Sequence, residues 1–280
     1  AILNAGEAGK GFMNIAVAAA GGLKGGAAKV SVLASALFGS ISGSASANVA
    51  STGMVTLPAM QKLGYPRRVA GAVEAVVSTG GQIMPPLMGA GAFVMVELTG
   101  IPYEKIILAA LLPAILYFWT VWVGVNQYAD KYDLKPYTAD MLPARSVVIK
   151  TALFFFIPFS ILLTVMFSGY TPQFAAAIAI LSAAFLLLIG LDFRFDLRRA
   201  SKRFVDASLF SGQQVAMIAS IILCASLIVG VLGITGLGIK ITSSILSISG
   251  GSLWLALFLT ALSCIILGME VPPTAAYVIC

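Results

Sequence analysis

The sequence contains no histidine, only three cysteines and few charged residues. Without histidine it lacks a usual zinc ligand, the base of a Ser-His nucleophile and the commonest proton shuttle. The cysteines show no CxxC spacing, so a thiolate metal site is not indicated. With charged residues at 10% and apolar residues at 59%, a single soluble core is excluded. We therefore expect a multi-pass membrane protein and not an enzyme.

The basic residues fall in short clusters between apolar segments, as is typical of loops on the cytoplasmic face of a membrane. The net charge of +6 therefore indicates a lipid bilayer and not nucleic acid as the partner. Four membrane spans are predicted at residues 104–126, 148–167, 173–191 and 207–233. Counting crossings from the basic segment 192–204 adds one interrupted crossing at 69–97. Because the chain starts at Ala1 and stops within an apolar run, we expect a fragment of a longer protein.

Residues 27–60 are flanked by basic clusters on both sides, which predicts a re-entrant hairpin that leaves and returns to one face. From Gly26 to Gly43 a helix would rise only about 25 Å, too short for a comfortable crossing. The tip is expected around Ser42 to Ser46, where serines alternate with small residues. Close packing of the two arms is the alternative explanation of these small residues.

Two stretches, 39–48 and 78–86, interrupt helices where a membrane helix should continue. Backbone groups freed at that depth are tolerated only where protein or a water-filled cavity satisfies them. Transporters build ion and solute sites at such breaks. In the second stretch, two glycines and the pair Pro85-Pro86 bracket Gln82. A simple proline kink is the alternative explanation of this stretch.

Two carboxylates lie near the predicted breaks. Glu74 precedes the second break by one to two helical turns, and Glu270 lies in a further predicted break at 268–274. An ionised carboxylate near mid-membrane is costly, so each should face a cavity, carry a proton or make a structural hydrogen bond. Either residue is a candidate for carrying a coupling proton.

A weak internal repeat is also present. The pair Gly25-Gly26 precedes Gly43 by the same interval that Gly250-Gly251 precedes Gly268, and a short amphipathic segment precedes each pair. The count of crossings gives the two copies opposite topology, which is typical of inverted-repeat secondary transporters. Chance similarity between apolar segments is the alternative.

Residues 27–49, AAKVSVLASALFGSISGSASANV, resemble the first hairpin of the large membrane subunit of TRAP transporters. The motifs at 62–65, 71–75 and 78–86 resemble the fused permease found with TAXI-type binding proteins, and 268–276 resembles its second hairpin. The resemblance implies an all-α polytopic membrane protein. It would be an inverted-repeat, elevator-type transporter with re-entrant helical hairpins and broken transmembrane helices.

The resemblance further implies a multi-pass permease in a bacterial inner membrane that imports organic acids by cation symport. Na⁺ would be the coupling ion, with H⁺ as the alternative, and no cofactor is expected. A TAXI-type periplasmic solute-binding protein would deliver the substrate, and a small four-helix membrane subunit, separate or fused, would complete the transporter. An ion or solute channel and a non-transporting membrane scaffold are the alternatives of a different class.

Site residues carry over from the resemblance as expectations. The implied ion-binding residues are Ser42, Gly43, Ser44, Gly80, Gly81, Gly268 and Thr274. The implied substrate-binding residues are Ser46, Asn48, Gln82 and Thr274. Glu270 and Pro273 depart from the family pattern, in which Gly and Thr are expected. Three parts are predicted: a first transport element at 1–103, scaffold spans with a basic cytoplasmic loop at 104–206, and a second, inverted repeat at 207–280.

Overall fold

The structure, a computed structural model, describes residues 8–89, 91–138, 141–189 and 197–268. No β-strand occurs in these residues, so the predicted all-helical fold is confirmed. The helices are α1 (Ala8–Ala20), α2 (Gly26–Ser42), α3 (Ala45–Lys62), α4 (Arg67–Gly80), α5 (Gly91–Thr99), α6 (Tyr103–Lys131), α7 (Arg145–Phe167), α8 (Pro172–Ile189), α9 (Leu197–Thr235), α10 (Leu237–Ser249) and α11 (Leu253–Gly268). The predicted sites at Glu270 and Thr274, and the departure at Pro273, lie outside the described residues.

The chain divides into two compact units, one of residues 1–89 and 102–212 and the other of residues 90–101 and 213–280. In the first unit, α2, α3 and α4 pack on one another, and α6 packs against α2 and α4. Helix α1 packs on α2 and α7, and α7 packs on α8. In the second unit, α10 packs on α11. The three-part division expected from the sequence stays a prediction.

Helices α2 and α3 form a tight helical hairpin because the chain reverses within two residues. Gly43 ends α2 in the left-handed conformation, φ 57°, and its N–H bonds the Gly39 carbonyl. Ser44 then caps α3, since its hydroxyl accepts from the Ala47 N–H at 3.3 Å. The reversal lies in the predicted tip region. That the hairpin is re-entrant stays a prediction.

The base of this hairpin is fastened to the end of α6 and the loop after it. The Gly25 N–H bonds the Leu134 carbonyl at 3.3 Å, and the Tyr65 hydroxyl donates to the Gly25 carbonyl at 3.1 Å. Burial, with a smaller contribution from Tyr128, raises the pKa of Tyr65 to about 12. The phenol therefore remains a neutral hydrogen-bond donor at physiological pH.

Helix α6 shows two apolar faces, one buried and one exposed. Ala114 and Phe118 belong to its buried face. On the other face Leu108, Leu112 and Trp119 are 58%, 65% and 65% exposed. Among the described residues, α6 and α7 are each long and apolar enough on their own to cross a membrane. Such an outward apolar stripe is costly in water and is matched by hydrocarbon.

The two copies of the predicted repeat share a local pattern, in which glycine separates two helices. In the first, α1 is followed by Gly25, φ 67°, and by the 17-residue helix α2. In the second, α10 is followed by Gly250, φ 56°, and by the 16-residue helix α11. Left-handed glycines thus separate an amphipathic helix from an apolar helix in both copies. Their opposite orientation in a membrane stays a prediction.

Candidate functional site

The hairpin tip presents serine hydroxyls that bond only locally. The hydroxyls of Ser44 and Ser46 lie 3.2 Å apart, and the Ser44 N–H lies 3.5 Å from the Ser42 hydroxyl. Ser46 is exposed, whereas Ser42 and Ser44 are half-buried. The first turn of α3 also points its N–H groups toward the tip, as every helix N-terminus does. Oxygen ligands and amide donors therefore lie together at an accessible point.

Helix α4 ends at Gly80, which is where the sequence predicts the interruption of the crossing. Residues 81–84 continue as tight turns, in which the Gln82 N–H bonds the Thr79 carbonyl at 3.1 Å. Pro85 and Pro86 then prevent further helix because they have no N–H to donate. The half-buried Gln82 side chain makes no hydrogen bond to another described residue.

The hairpin tip and the broken segment are in backbone contact. A Cβ added to Gly39 would overlap the backbone of Gly81, and one added to Gly43 would overlap Gly89. Between these points the Leu87 N–H donates to the Ser40 carbonyl at 3.2 Å. Glycine is required at these positions because any side chain would separate the two backbones. The tip and the break therefore form one continuous surface.

The structure brings some predicted site residues together and separates others. Asn48 lies against the break, since a Cβ on Gly81 would come within 2.6 Å of the Asn48 Nδ2 atom. Gly43 meets Gly89 and not the predicted pair of glycines. Gly80 packs against α6, because a Cβ there would overlap the ring of Tyr117. Gly268, the last described residue of α11, belongs to the second unit.

Glu74 is buried at 1% exposure in the centre of a hydroxyl cluster. Its Oε2 atom accepts from Ser31 at 2.7 Å and from Thr56 at 2.6 Å. Its Oε1 atom accepts from Thr52 at 2.6 Å and from Ser78 at 3.4 Å. We call these residues, with Ser35 and Asn48, the Glu74 cluster. Because the donors come from α2, α3 and α4, the carboxyl group joins all three helices.

The Glu74 cluster connects to Asn48 and hence to the break. The Thr52 hydroxyl lies 2.8 Å from the Asn48 carbonyl oxygen and 3.3 Å from the Ser35 hydroxyl. The Asn48 side chain donates to the Ser35 carbonyl at 3.0 Å. A chain of close polar contacts therefore runs from Glu74 through Thr52 to Asn48, the residue that touches Gly81.

The sequence singles out Glu74 but not its partners, although a signal for them exists. Polar residues recur every four positions on each helix, which places them on one face. They are Ser31 and Ser35 on α2, Asn48, Thr52 and Thr56 on α3, and Glu74 and Ser78 on α4. Gly53 also contributes, since a Cβ there would lie 3.3 Å from the Glu74 Cγ atom.

A second buried charge lies nearer the hairpin base. Lys29 is 4% exposed and donates to the Asn126 Oδ1 atom at 2.6 Å. Its ammonium group also lies 5.5 Å from the centre of the Trp122 ring, a distance suited to a cation–π contact. The Asn126 amide donates in turn to Asp130 at 3.1 Å. These contacts join α2 to α6.

Comparison with known proteins decides the family. Residues 1–280 match the family described as "Tripartite ATP-independent periplasmic transporter, DctM component". The chain belongs to the DctM family of TRAP transporters. This confirms the family expected from the motifs, and it agrees with an integral membrane transport component that is not an enzyme. The association with TAXI-type binding proteins stays a prediction.

Three curated proteins show the extent of the similarity. "C4-dicarboxylate TRAP transporter large permease protein DctM" of Pseudomonas aeruginosa is 27% identical over 281 residues, covering 100% of this chain and 64% of that protein. An uncharacterized protein of Sinorhizobium fredii, y4mL, is 27% identical over 223 residues, covering 78% and 51%. Another, YgiK of Salmonella typhimurium, is 28% identical over 197 residues, covering 67% and 43%. The chain thus spans 43% to 64% of the length of these relatives.

Proposed function

We propose that this chain forms part of a binding-protein-dependent secondary transporter that imports organic acids by cation symport. The observation that carries the proposal is the backbone contact between the hairpin tip and the broken segment. In a membrane protein, irregular backbone is either buried in protein or lines a polar cavity, and transporters build ion and solute sites at such breaks. Because the Pseudomonas relative is named for C4-dicarboxylates, succinate is the first substrate to test.

Sodium would bind at the tip. The hydroxyls of Ser42 and Ser44, with carbonyl oxygens around Gly43, supply the oxygen ligands that a small hard cation prefers. Gly80 and Gly81 would interrupt the helix in the broken segment, so that its backbone carbonyl groups could bind the ion. The contribution of the second repeat, with Gly268 and Thr274, stays part of the proposal.

The substrate carboxylate would lie beside the ion. The N-terminus of α3 favours an anion, because its dipole is positive there and the Ser44 cap bonds only the Ala47 N–H of its first turn. Ser46 is exposed at the tip and Gln82 is half-buried in the broken segment, whereas Asn48 is buried against Gly81. The support is that Asn48 touches the break at Gly81 and that the Gln82 amide has no described partner.

Transport would follow an elevator-type movement of the re-entrant hairpin and the broken crossing. We include α6 in the moving unit with residues 1–103, because polar contacts join it to that part along its length. The Tyr103 hydroxyl donates to the Pro86 carbonyl at 2.6 Å, and the Tyr117 hydroxyl donates to the Val76 carbonyl at 2.8 Å. The remaining spans of 104–206 would form the scaffold.

The complete transporter would lie in a bacterial inner membrane and would need two partners. A TAXI-type periplasmic binding protein would deliver the substrate, and a small four-helix membrane subunit, separate or fused, would complete the assembly. The motifs at 62–65 and 78–86 support the TAXI assignment. Proton coupling is the second candidate, favoured by the burial of Glu74 among hydroxyl groups, and Glu270 would be its counterpart in the second repeat.

Sodium-stimulated uptake of labelled succinate tests the proposal, with the intact permease and its partners in proteoliposomes. Gly81→Ala should reduce uptake at least tenfold, because the new Cβ would push apart Asn48 and Gly39. Ser44→Ala should raise the sodium concentration needed for half-maximal uptake several-fold. Gly71→Ala on α4, where a Cβ meets no atom within 4 Å, and Ser51→Ala on α3 are the matched controls. Uptake that is unchanged in both site variants would contradict the assignment.

A further inference from the structure

The Glu74 cluster contains more oxygen–oxygen contacts than its hydroxyl hydrogens can serve, and Thr52 is where this matters most. Its Oγ1 atom lies 2.6 Å from Glu74 Oε1, 2.8 Å from the Asn48 carbonyl oxygen and 3.3 Å from the Asn48 side-chain oxygen. A threonine hydroxyl has one hydrogen to donate and lone pairs to accept. Thr52 therefore donates either to Glu74 or to Asn48.

Each choice fits one charge state of the carboxyl group. An ionised carboxylate only accepts, so Thr52 then donates to Glu74, as Ser31 and Thr56 also do. When Glu74 holds a proton on Oε1, the carboxyl O–H donates to the Thr52 oxygen, and the Thr52 hydrogen turns to Asn48. Only hydrogens rotate in this exchange. The cluster can therefore charge and discharge without separating its helices.

We propose that Thr52 is a positioning residue through which protonation of Glu74 fixes the side chain of Asn48; this rests on the proposed substrate site. The Asn48 Nδ2 atom already donates to the Ser35 carbonyl at 3.0 Å. With Glu74 protonated, the Thr52 hydrogen is shared between the Asn48 backbone carbonyl at 2.8 Å and the oxygen of the same side-chain amide at 3.3 Å. With Glu74 ionised, that bond is withdrawn. Because Asn48 lies against Gly81, the charge of Glu74 determines how firmly the Asn48 side chain is held beside the broken segment.

No charged side chain competes with this exchange among the described residues. The titratable groups on the helices packed around Glu74 include Lys29, Lys62, Arg67, Arg68, Tyr117 and Asp130. Lys29 donates to Asn126, and Tyr117 donates to the Val76 carbonyl. The ion pairs between described side chains join Lys24 to Asp130 and Asp133. The carboxyl of Glu74 therefore interacts with hydroxyl groups alone.

Infrared difference spectroscopy of the intact permease in lipid bilayers, recorded during a pH titration, tests the proposal. The wild type should show the C=O stretch of a protonated carboxyl, and Glu74→Gln should remove it. Thr52→Val keeps the shape but removes the hydroxyl, so it should shift this band, whereas Thr52→Ser should restore the wild-type position. Thr52→Cys replaces the valine variant if that does not fold. A band absent at every pH, or unmoved by loss of the Thr52 hydroxyl, would overturn the proposal.

A transport measurement distinguishes positioning from a purely structural role. Between a pH at which the infrared band of protonated Glu74 is present and one at which it has disappeared, the KM for succinate should rise about three- to tenfold in the wild type and in Thr52→Ser, as expected for loss of one hydrogen bond. In Thr52→Val the KM should hardly change with pH, while the maximal rate follows pH as in the wild type. Equal pH dependence of KM in all three would overturn the proposal. If the wild type takes up no succinate, the proposed function fails, and the infrared test of Thr52 still decides.

Discussion

The hairpin carries two polar regions that are built from similar residues but are completed in different ways. The members of the Glu74 cluster are at most 1% exposed, and no buried side-chain polar atom in the described residues lacks a partner. At the tip, Ser46 is exposed and the serine hydroxyls bond only to near neighbours in the chain. Polar residues in an apolar helix therefore do not by themselves indicate a ligand site. The satisfied region holds helices together, and the open region is free to bind a ligand.

The largest expected effect comes from removing the centre of the satisfied region. Glu74→Ala should lower the free energy of unfolding by about 4 kcal/mol, since three short hydrogen bonds and the volume of the side chain are lost. Glu104→Ala, at the half-buried start of α6, is the matched control and should cost below about 1 kcal/mol. Denaturant unfolding in detergent micelles measures both. Similar values for the two variants would show that the cluster does not hold the helices.

A smaller effect is expected at the open region, where close backbone contact and not a buried cluster of side-chain hydrogen bonds stabilises the structure. Gly43→Ala combines a left-handed backbone with overlap on Gly89, so it should cost about 3 kcal/mol. Gly250→Ala has almost the same φ, 56°, but meets no atom within 4 Å. It should cost only the left-handed strain, about 1 kcal/mol. Thermal unfolding of both variants gives the difference, and equal shifts would remove the steric argument for the tip.

The difference between the two regions also explains which structural features can be predicted from the sequence. The reversal at Gly43 and Ser44 and the end of α4 at Gly80 follow from local chemistry, because a left-handed glycine, a serine cap and prolines act over a few residues. The contacts between Gly39 and Gly81 depend on how whole helices pack, so the sequence does not determine them locally. For the same reason the packing of Gly80 against Tyr117 is not readable from the sequence, and its role at the ion site, implied by the family resemblance, stays a prediction.

The donors to Glu74 are predictable in part, since their positions on each helix are local but their meeting depends on helix packing. Their four-residue spacing on α2, α3 and α4 predicts a polar face on each helix. It does not show that the three faces meet at one carboxyl group. That meeting needs Gly53, which leaves space beside the Glu74 Cγ atom, and the tight hairpin that brings Ser31 opposite Thr56. A pattern on one helix is local, but a closed cluster requires all three.

The smallest effects are expected when a single hydroxyl group is removed from each region, and they compare the Glu74 cluster with the tip directly. Thr56→Val removes a donor that lies 2.6 Å from Glu74 and is 1% exposed, so it should cost about 1.5 kcal/mol. Ser46→Ala removes an exposed hydroxyl that water replaces, so it should change the free energy of unfolding by less than about 0.5 kcal/mol. Denaturant unfolding without substrate measures both, because a ligand would stabilise the tip by binding to the folded state. If Ser46→Ala cost as much as Thr56→Val, the tip would be a second structural cluster, and its serines would no longer be available to bind a ligand.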